Sequence, residues 1–494
     1  MQDSHFDFFR NNIIGINQTF PTPYGEKRMI YADWIASGRL YQPIEDKFMN
    51  EIYPFCGNTH TETSITGTIM TKLYLQAKSF IKQEVNASDD DFLLFEGSGM
   101  TAGINKLQRI MGLRLPERCI DFYEVNSNAR KPVVFITHME HHSNHTSWLE
   151  TAAKVEVIKP TADGLVDIEH LKSLLKEYQD SCLKIASVTA ASNVTGIKTP
   201  YHEIAQLMHD AGGYCFVDFA CAGPYVAINM HPEKESEKLD AIFLSPHKFL
   251  GGPGTPGVLI FNKILYKNTA PDNAGGGTVT FTSPFGFHEY KSNIEDREDA
   301  GTPPFLQGIR TALCFKLKRE MGVDAIHDKE KLLLDIIFDG LKNIPGLQIL
   351  EEQVRNRVGA FSFHLSNLHY NLGVKLLNDH YGIQVRGGCA CAGTYGHYLL
   401  NIDEKQSDEI RRRIQRGDTF SRPGWIRLSV HPTMTIEEAH FIVKAITHIA
   451  NDYAALATEY EYVPQRNIFR HKTKHQSFAD NFVQQIFSNI AAYV

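Results

Sequence analysis

Short apolar runs that alternate with amphipathic helical segments constrain the fold of this chain more than any other feature. Seven such runs are bounded by polar or glycine-rich residues. Buried strands have this appearance, and helices between them bring parallel strands side by side through right-handed crossovers. The pattern predicts an α/β fold whose large domain has a mostly parallel seven-stranded sheet flanked by helices. The predicted strands are 92–95, 133–137, 154–158, 185–190, 214–218, 241–244 and 257–261.

The pattern changes at about Asp324. A long helix leads to an alternating run at 359–365, and a later helix begins with a capping-box pattern at Thr435. These features predict a smaller α+β domain. The predicted division is an N-terminal segment that packs on the small domain (1–30), a large domain (31–323), the small domain (324–458) and a C-terminal extension (459–494). The charged residues 401–423 are predicted to form a loop.

Composition excludes several classes of protein. A chain of 494 residues exceeds the size of about 250–300 residues at which a single core stops growing. The 50 Lys+Arg and 57 Asp+Glu residues give a net charge of -7, and the basic residues are spread along the chain, so nucleic acid and anionic membrane are poor partners. No apolar run approaches the ~20 residues that span a bilayer. Without a signal-peptide pattern, we expect a cytoplasmic protein.

One lysine follows a predicted strand directly. The run 241–244 leads into Ser245, Pro246, His247 and Lys248, and a glycine-rich turn comes next. Open α/β sheets bind ligands at the carboxyl ends of their strands. Lys248 is therefore a candidate reactive amine, and the alternative is a solvated lysine beside a turn.

Three further strand ends carry candidate ligand-binding residues. The turn 97–101 precedes a helix whose N–H groups suit a phosphate, although ordinary turn glycines give the same pattern. His141 and His142 are adjacent, and adjacent residues do not readily present both rings to one ion, so no metal is expected. Asp218 closes an apolar strand. A carboxylate there needs a positive partner, such as a protonated heterocycle, unless it only caps a helix or turn.

A late loop brings two cysteines close together. Cys389 and Cys391 follow Arg386 in a stretch of small residues. A free thiol with a pKa near ~8.5 is only slightly ionised at neutral pH, so a reactive cysteine needs a nearby cation, for which Arg386 is a candidate. Two cysteines make at most half of a metal site, and a Cys-x-Cys disulfide would be strained. A reactive thiol is the better functional interpretation.

Taken in order, these motifs resemble the class V aminotransferase-fold enzymes, which use pyridoxal 5′-phosphate (PLP) and have PLP fold type I. Within that family the pattern is most similar to the cysteine desulfurase and selenocysteine lyase group, from about Tyr31 to Tyr453. The resemblance implies a PLP-dependent lyase or transferase. It would remove sulfur or selenium from a cysteine-type amino acid through an enzyme persulfide and release alanine.

The resemblance implies a role for each strand-end residue. Lys248 would hold the cofactor as a Schiff base and move the Cα proton, while Asp218 would keep the pyridine nitrogen protonated. His141 would stack on the ring, and Asn193 would lie near the phenolic oxygen and the substrate. The residues implied in phosphate binding are Met100, Thr101, Ser245 and His247.

The resemblance also implies partners. A neighbouring subunit would complete the phosphate site with Thr302, so a homodimer is expected. Arg427 matches the arginine that binds the substrate carboxylate through a bidentate fork, and Arg386 would assist it. Cys391 would accept sulfur by thiolate attack, with a sulfur-acceptor protein as a further partner. Cys389 would be either a competitor or a relay.

Three departures from the family pattern leave the reaction open. Cys221 stands where many relatives have glutamine, the stretch between Cys391 and Arg427 is long, and the chain after Tyr453 has no counterpart. One alternative is another class V PLP enzyme, such as a C–S lyase, an epimerase or an aminotransferase acting on a small amino acid. A second alternative is a non-enzymatic interaction protein on the same fold.

Overall fold

The structure is a computed structural model, and it describes residues 2–122, 130–473 and 478–488. The predicted C-terminal extension therefore lies partly outside the described residues, at 474–477 and 489–494. In chain order the strands are β1 (Thr19–Thr22), β2 (Gly25–Arg28), β3 (Ile30–Tyr31), β4 (Asp91–Glu96), β5 (Val133–Thr137), β6 (Lys154–Ile158), β7 (Lys184–Thr189), β8 (Tyr214–Asp218), β9 (Ala241–Leu244), β10 (Gly257–Asn262), β11 (Val279–Thr282), β12 (His288–Tyr290), β13 (Leu347–Ile349), β14 (Ala360–Leu365), β15 (Ile383–Gln384), β16 (Arg386–Gly388), β17 (Trp425–Ser429), β18 (Tyr460–Val463) and β19 (Ile468–His471).

The α-helices lie between and around these strands. They are α1 (Gln2–Asn11), α2 (Gln42–Lys47), α3 (Ile65–Glu84), α4 (Met100–Ile110), α5 (His142–Leu149), α6 (Ile168–Glu177), α7 (Tyr201–Asp210), α8 (Ile294–Glu298), α9 (Phe305–Met321), α10 (Val323–Leu341), α11 (Tyr370–Tyr381), α12 (Gly393–Leu399), α13 (Glu404–Gln415), α14 (Ile436–Ala457) and α15 (Phe478–Ile486). No helix among the described residues is both long and apolar enough to cross a bilayer.

The central sheet has seven strands in the order β4-β10-β9-β8-β7-β5-β6. Strand β10 is antiparallel to both of its neighbours, and the pairs from β9 to β6 are parallel. The prediction of a mostly parallel seven-stranded sheet is confirmed. Strands β5 and β7 are buried along their whole length, although β7 also contains Lys184, Ser187 and Thr189. Strands that are covered on both faces are buried in this way.

Strand direction places the candidate residues at one edge. Since β10 reverses direction relative to β4 and β9, the strands β4, β5, β7, β8 and β9 all run the same way. Their carboxyl ends therefore lie along one edge of the sheet, where ligands bind in open α/β folds. Asp218 is the last residue of β8, and its register partner on β7 is Thr189.

The C-terminal part contains a four-stranded antiparallel sheet in the order β13-β14-β17-β16. The α+β character expected of this part is present, and the capping box at Thr435 opens α14. Strand β16 was not predicted, because its three residues are only Arg386, Gly387 and Gly388. Its pairing with β17 makes Arg386 and Arg427 direct register partners, so both side chains lie on the same face.

The N-terminal segment contacts the C-terminal part of the chain. Strand β3 pairs with β15, and the Arg10 guanidinium donates to both carboxylate oxygens of Glu438 at 2.9 and 2.7 Å. Phe6 and Phe9 of α1 belong to the main apolar core. These contacts support the predicted packing of residues 1–30, while the domain boundaries stay predictions.

Residues 401–423 contain a helix where a loop was expected. Helix α13 begins with a capping box, in which the side chains of Asp403 and Gln406 each accept a hydrogen bond from the backbone N–H of the other residue. None of its residues is buried. Its apolar residues are only Ile410 and Ile414, so hydrophobic periodicity gave a weak signal, and the capping box was the stronger sequence cue.

Candidate active site

A cavity of about 1110 Å³ lies at the carboxyl edge of the central sheet and extends to the four-stranded sheet. It brings together nearly all of the sequence-predicted site residues. Those that line it are Met100, Thr101, His141, Asn193, Asp218, Ser245, His247, Lys248, Arg386, Cys389, Cys391 and Arg427. Thr302 does not line the cavity of its own chain and is exposed.

Lys248 ends the short turn that follows β9. Its backbone N–H donates to the Ser245 carbonyl at 3.0 Å, and the neighbouring His247 carbonyl accepts from the Gly38 N–H at 2.8 Å. Burial lowers the pKa of the Lys248 amine, and the positive charge of Arg427 acts in the same direction, although Cys221 and Asp218 oppose it. A lowered pKa increases the neutral, nucleophilic fraction of an amine.

Asp218 places a carboxylate at the floor of the cavity. One of its oxygens accepts the Ala220 N–H at 2.8 Å, and the residue is only 3% exposed. Burial raises the pKa of Asp218 to about 6, against the opposing influence of the Ala220 N–H and Lys248. A cationic ligand group beside this carboxylate would favour its charged form.

His141 presents a neutral ring to the cavity. Its Nδ1 atom accepts the Ser143 N–H at 3.1 Å, so the proton of the neutral ring lies on Nε2. Burial, followed by repulsion from Lys248, lowers the pKa of His141 to about 3. An uncharged flat ring can stack on an aromatic ligand without desolvating a charge.

Glu140 holds the loop that carries His141. Its carboxyl group contacts the Thr137 hydroxyl at 2.6 Å, the Thr189 N–H at 2.9 Å and the Asn144 side-chain amide at 2.6 Å. Burial raises the pKa of Glu140 to about 8. The Glu140 carboxyl group therefore links the end of β5, through Thr137, to the end of β7, through Thr189. Sequence reasoning assigned it no role, although its position directly before the histidine pair was the available signal.

The start of α4 forms a polar cradle. The Met100 N–H donates to Ser245 Oγ at 2.9 Å, and Thr101 Oγ1 lies 2.7 Å from Ser143 Oγ. His247 Nδ1 donates to the Ser98 carbonyl at 3.0 Å. A Cβ atom on Gly99 would lie 3.0 Å from Ser245 Oγ and 3.2 Å from the His247 ring, so glycine leaves the space open there. The N-cap residue Gly99 has no side chain that could cap this helix, and such an N-terminus favours an anion.

Asn193 supplies a polar atom that lacks a partner. Its Nδ2 atom donates to the Ala390 carbonyl at 2.7 Å, whereas Oδ1 is buried and has no hydrogen-bond partner within the part of the chain that the structure describes. The Asn193 carbonyl accepts from Arg427 Nη1 at 3.2 Å. A buried amide oxygen without a partner is costly, so a polar ligand in the cavity would stabilise this wall.

Asp33 forms ion pairs with both of the arginines that were predicted to bind the substrate. One carboxylate oxygen accepts from Arg427 Nη2 at 2.7 Å, and the other accepts from Arg386 Nε at 3.1 Å. The Arg427 side chain is 5% exposed and that of Arg386 is 55% exposed, so the contact with Arg427 is the less screened of the two. Sequence reasoning missed Asp33, and its only signal was a carboxylate directly after a short apolar strand.

The cysteine loop closes the other side of the cavity. Cys391 is exposed and Cys389 is half-buried. Arg422 Nη2 donates to Cys389 Sγ at 3.7 Å. Asn467, from the hairpin β18–β19, also lines the cavity, and its carbonyl accepts from the Asn371 amide at 2.6 Å. Residues 401–423 (called the insertion below), which were predicted to form a loop, and the C-terminal extension thus each contribute a residue to the cavity, Arg422 and Asn467.

Cys221, which replaces a glutamine of the family pattern, also lines the cavity. Burial raises the pKa of its thiol to about 11, so the thiol is neutral at physiological pH. Its Sγ atom donates to the Ser192 carbonyl at 3.6 Å. No group of three or more metal-ligating side chains occurs among the residues that the structure describes.

These residues fit PLP. The uncapped α4 start suits its phosphate, Asp218 suits its pyridine nitrogen, and Lys248 is an amine of lowered pKa between them. The Asn193 side-chain oxygen, which has no hydrogen-bond partner among the described residues, could make a further polar contact with the ligand. Bound PLP supplies an electron sink for negative charge that develops at an amino-acid Cα.

We predict that PLP affinity falls as pH falls through about 6, the pKa of Asp218. Below that pH Asp218 is protonated in the free protein and must lose a proton before it pairs with a protonated pyridine ring, so acid opposes binding. The measurement is a PLP titration by absorbance between about pH 5 and 8. An Asp218→Asn variant should bind more weakly and lose this dependence, and a flat wild-type profile would contradict the assignment.

Comparison with known proteins places the chain in a family. The aminotransferase class-V family model matches residues 30–441. A probable cysteine desulfurase of Staphylococcus epidermidis is 27% identical over 372 residues, which cover 74% of this chain and 84% of the relative. A probable cysteine desulfurase of Staphylococcus aureus is 27% identical over 370 residues, with the same coverage.

Solved structures share the fold. The cysteine desulfurase of Thermococcus onnurineus superimposes with a TM-score of 0.69 at 20% identity, over 90% of this chain and 98% of that protein. The cysteine desulfurase CsdA of Escherichia coli gives the same four values. The expected PLP fold type I is thus confirmed. Because the family model spans most of the sequence, this chain belongs to the class V aminotransferase family of PLP-dependent enzymes.

Proposed function

We propose that the protein removes sulfur or selenium from a cysteine-type amino acid and releases alanine. The observation that carries this proposal is the shared cavity. It joins the PLP-fitting residues Lys248, Asp218 and His141 to a loop with two cysteines. The relatives named probable cysteine desulfurase support the same reaction.

The proposed roles follow from the geometry of each side chain. Lys248 would hold PLP covalently and move the proton at the substrate Cα, for which a lowered amine pKa is suited. His141 would stack on the cofactor ring in its neutral form. Arg427 would bind the substrate carboxylate, with Asn193 and Arg386 beside it. The buried carboxylate of Asp218 would pair with the pyridine nitrogen.

Cys391 is proposed as the sulfur acceptor. It is exposed at the cavity, where a thiol can reach a bound amino acid. Its thiolate would attack the substrate sulfur, so that an S–S bond forms while the bond between that sulfur and Cβ breaks. The electron pair of the broken bond stays with the carbon skeleton, which leaves as alanine after protonation. The sulfur remains on the enzyme as a persulfide.

We also propose a homodimer in the cytoplasm that passes its sulfur to an acceptor protein. Thr302 is exposed and lies outside its own cavity, which leaves it available to the phosphate site of a second subunit. Exposure of Cys391 leaves the terminal sulfur atom accessible to an acceptor.

The first test is the product. Holoenzyme incubated with L-cysteine should form alanine and, with an added thiol reductant, sulfide in equal amounts. A Lys248→Ala variant should form no alanine above background, and a Cys391→Ser variant should lose at least about 100-fold in turnover because it lacks the attacking thiol. Alanine at the level of the Lys248→Ala background would overturn the proposal. Undiminished turnover by Cys391→Ser would favour another class V reaction.

A second test concerns Asp33, which would hold Arg427 in position for the substrate carboxylate. An Asp33→Asn variant loses a charge-assisted contact at 2.7 Å. We expect KM for the amino acid to rise about tenfold with little change in kcat, since such contacts contribute about 1.5–3 kcal/mol. Steady-state kinetics measure both constants. A lower KM would instead show that Asp33 competes with the substrate for Arg427.

A further inference from the structure

Two features of the cavity have no part in the reaction proposed above. One is Cys389, a second thiol that lines the same cavity as Cys391 and is more buried. The other is Arg422, which comes from the insertion at 401–423 and donates to the Cys389 sulfur at 3.7 Å. A cation held against one of two neighbouring thiols indicates that the two thiols have different tasks.

The two cysteines lie within one tight turn. The Ala392 N–H donates to the Cys389 carbonyl at 3.0 Å, which closes a four-residue turn. Its central residues, Ala390 and Cys391, have φ angles of 51° and 57°. Positive φ at both central positions defines a type I′ turn, which spans less than about 7 Å between its first and last Cα atoms. Cys389 and Cys391 are therefore close neighbours whose separation the turn limits.

This turn is unfavourable for its own residues and is held by others. Two consecutive residues other than glycine in the left-handed region are strained, and such strain persists only where surrounding contacts impose it. Asn193 donates to the Ala390 carbonyl at 2.7 Å, and the His142 N–H donates to the Cys391 carbonyl at 2.7 Å. The His142 ring also accepts the Gly393 N–H at 2.9 Å. Asn193 and His142 thus hold the backbone of the turn that carries both cysteines.

The residues before Arg422 are held by contacts with the C-terminal hairpin β18–β19 and with His369. Phe420 packs on the His369 ring at 4.8 Å and on Tyr462 at 4.9 Å. Thr419 Oγ1 lies 3.1 Å from the Tyr462 hydroxyl. Tyr462 belongs to β18, so the C-terminal hairpin and the insertion support each other beside the cysteine turn. Together they place the Arg422 guanidinium against the Cys389 sulfur, to which it donates at 3.7 Å.

We propose that Cys389 is a second sulfur carrier, which takes the outer sulfur atom from a persulfide on Cys391. This inference rests on the proposed function. The Cys389 thiolate attacks the outer sulfur, a new S–S bond forms at Cys389, and the S–S bond at Cys391 breaks. Cys391 leaves as a thiolate and takes up the proton that Cys389 lost. One persulfide and one thiol exist before and after the step, so no oxidant or reductant is required.

The relay has two consequences. Cys391 returns to its thiol form while the first sulfur is still on the enzyme, so it can accept another. The stored sulfur lies on the half-buried cysteine, beside Arg422, rather than on the exposed one. Its negative charge is then paired with a guanidinium.

The test follows the extra sulfur atom over time. Holoenzyme receives one equivalent of L-cysteine, samples are quenched with an alkylating reagent, and mass spectrometry of fragment ions assigns the added sulfur to Cys389 or Cys391. Alanine is measured in the same samples. In the wild type the sulfur should occur first on Cys391 and then on Cys389. In Cys389→Ser it should stay on Cys391, and in Cys391→Ser no sulfur should reach Cys389.

Two arginine variants of the same insertion form a matched pair. Arg422→Gln should slow the movement of sulfur from Cys391 to Cys389 about tenfold, since a charge-assisted contact is lost. Arg411→Gln should leave this rate unchanged, because Arg411 is 62% exposed and pairs with Asp408 of its own helix. If sulfur moves from Cys391 to Cys389 at the same rate in the two variants, Arg422 has no part in the transfer.

Other outcomes separate the two proposals. Alanine with sulfur that stays on Cys391 at all times overturns the relay and leaves the proposed function intact. Sulfur on Cys389 in the Cys391→Ser variant also overturns the relay, because Cys389 would then take sulfur directly from the substrate. Absence of alanine in the wild type overturns both.

Discussion

Lys248 and Asp218 line the same cavity at the edge of the central sheet, and the rest of the site depends on this. Burial lowers the pKa of the amine and raises that of the carboxyl group, while each group partly offsets the effect on the other. Burial favours the neutral form of both groups. A ligand with a carbonyl group and a basic ring nitrogen would use both groups at once, and PLP is such a ligand.

Geometry of the parallel strands creates this space. Strands β5, β8 and β9 end at the same edge, so His141, Asp218 and Lys248 meet there although they are far apart in the chain. Because both faces of the sheet are covered, the strand ends are the place where polar groups can reach a cavity. The buried contacts of Glu140 with β7 then hold the histidine loop in place.

The second half of the site comes from the C-terminal part of the chain. Register pairing of β16 with β17 sets Arg386 beside Arg427, and Asp33 joins both. Asn193 links the two halves, since its side chain contacts the cysteine turn and its carbonyl contacts Arg427. Substrate binding and sulfur transfer are thus proposed to occur where the two sheets meet.

Local sequence patterns predicted the residues at the strand ends of the central sheet better than those that the C-terminal part of the chain contributes. Apolar runs predicted the strands, and each strand end then identified its polar residue, because strand and residue are adjacent in the chain. Arg422 and Asn467 gave no such signal, since neither follows a strand of the central sheet and both reach the cavity from distant segments of the chain. Asp33 follows a short apolar strand, but its role depends on contacts with Arg427 and Arg386, which are far away in the sequence. Helix α13 was missed for a different reason: none of its residues is buried, so the helix does not need a broad apolar stripe.

The central claim is that Lys248 holds PLP in this cavity. The most direct measurement is borohydride reduction of the PLP-loaded protein, followed by proteolysis and mass mapping of the cofactor. We expect the visible absorption band to be lost and the reduced cofactor to be attached to Lys248. Attachment to another lysine, or absence of any reducible cofactor band, would contradict it.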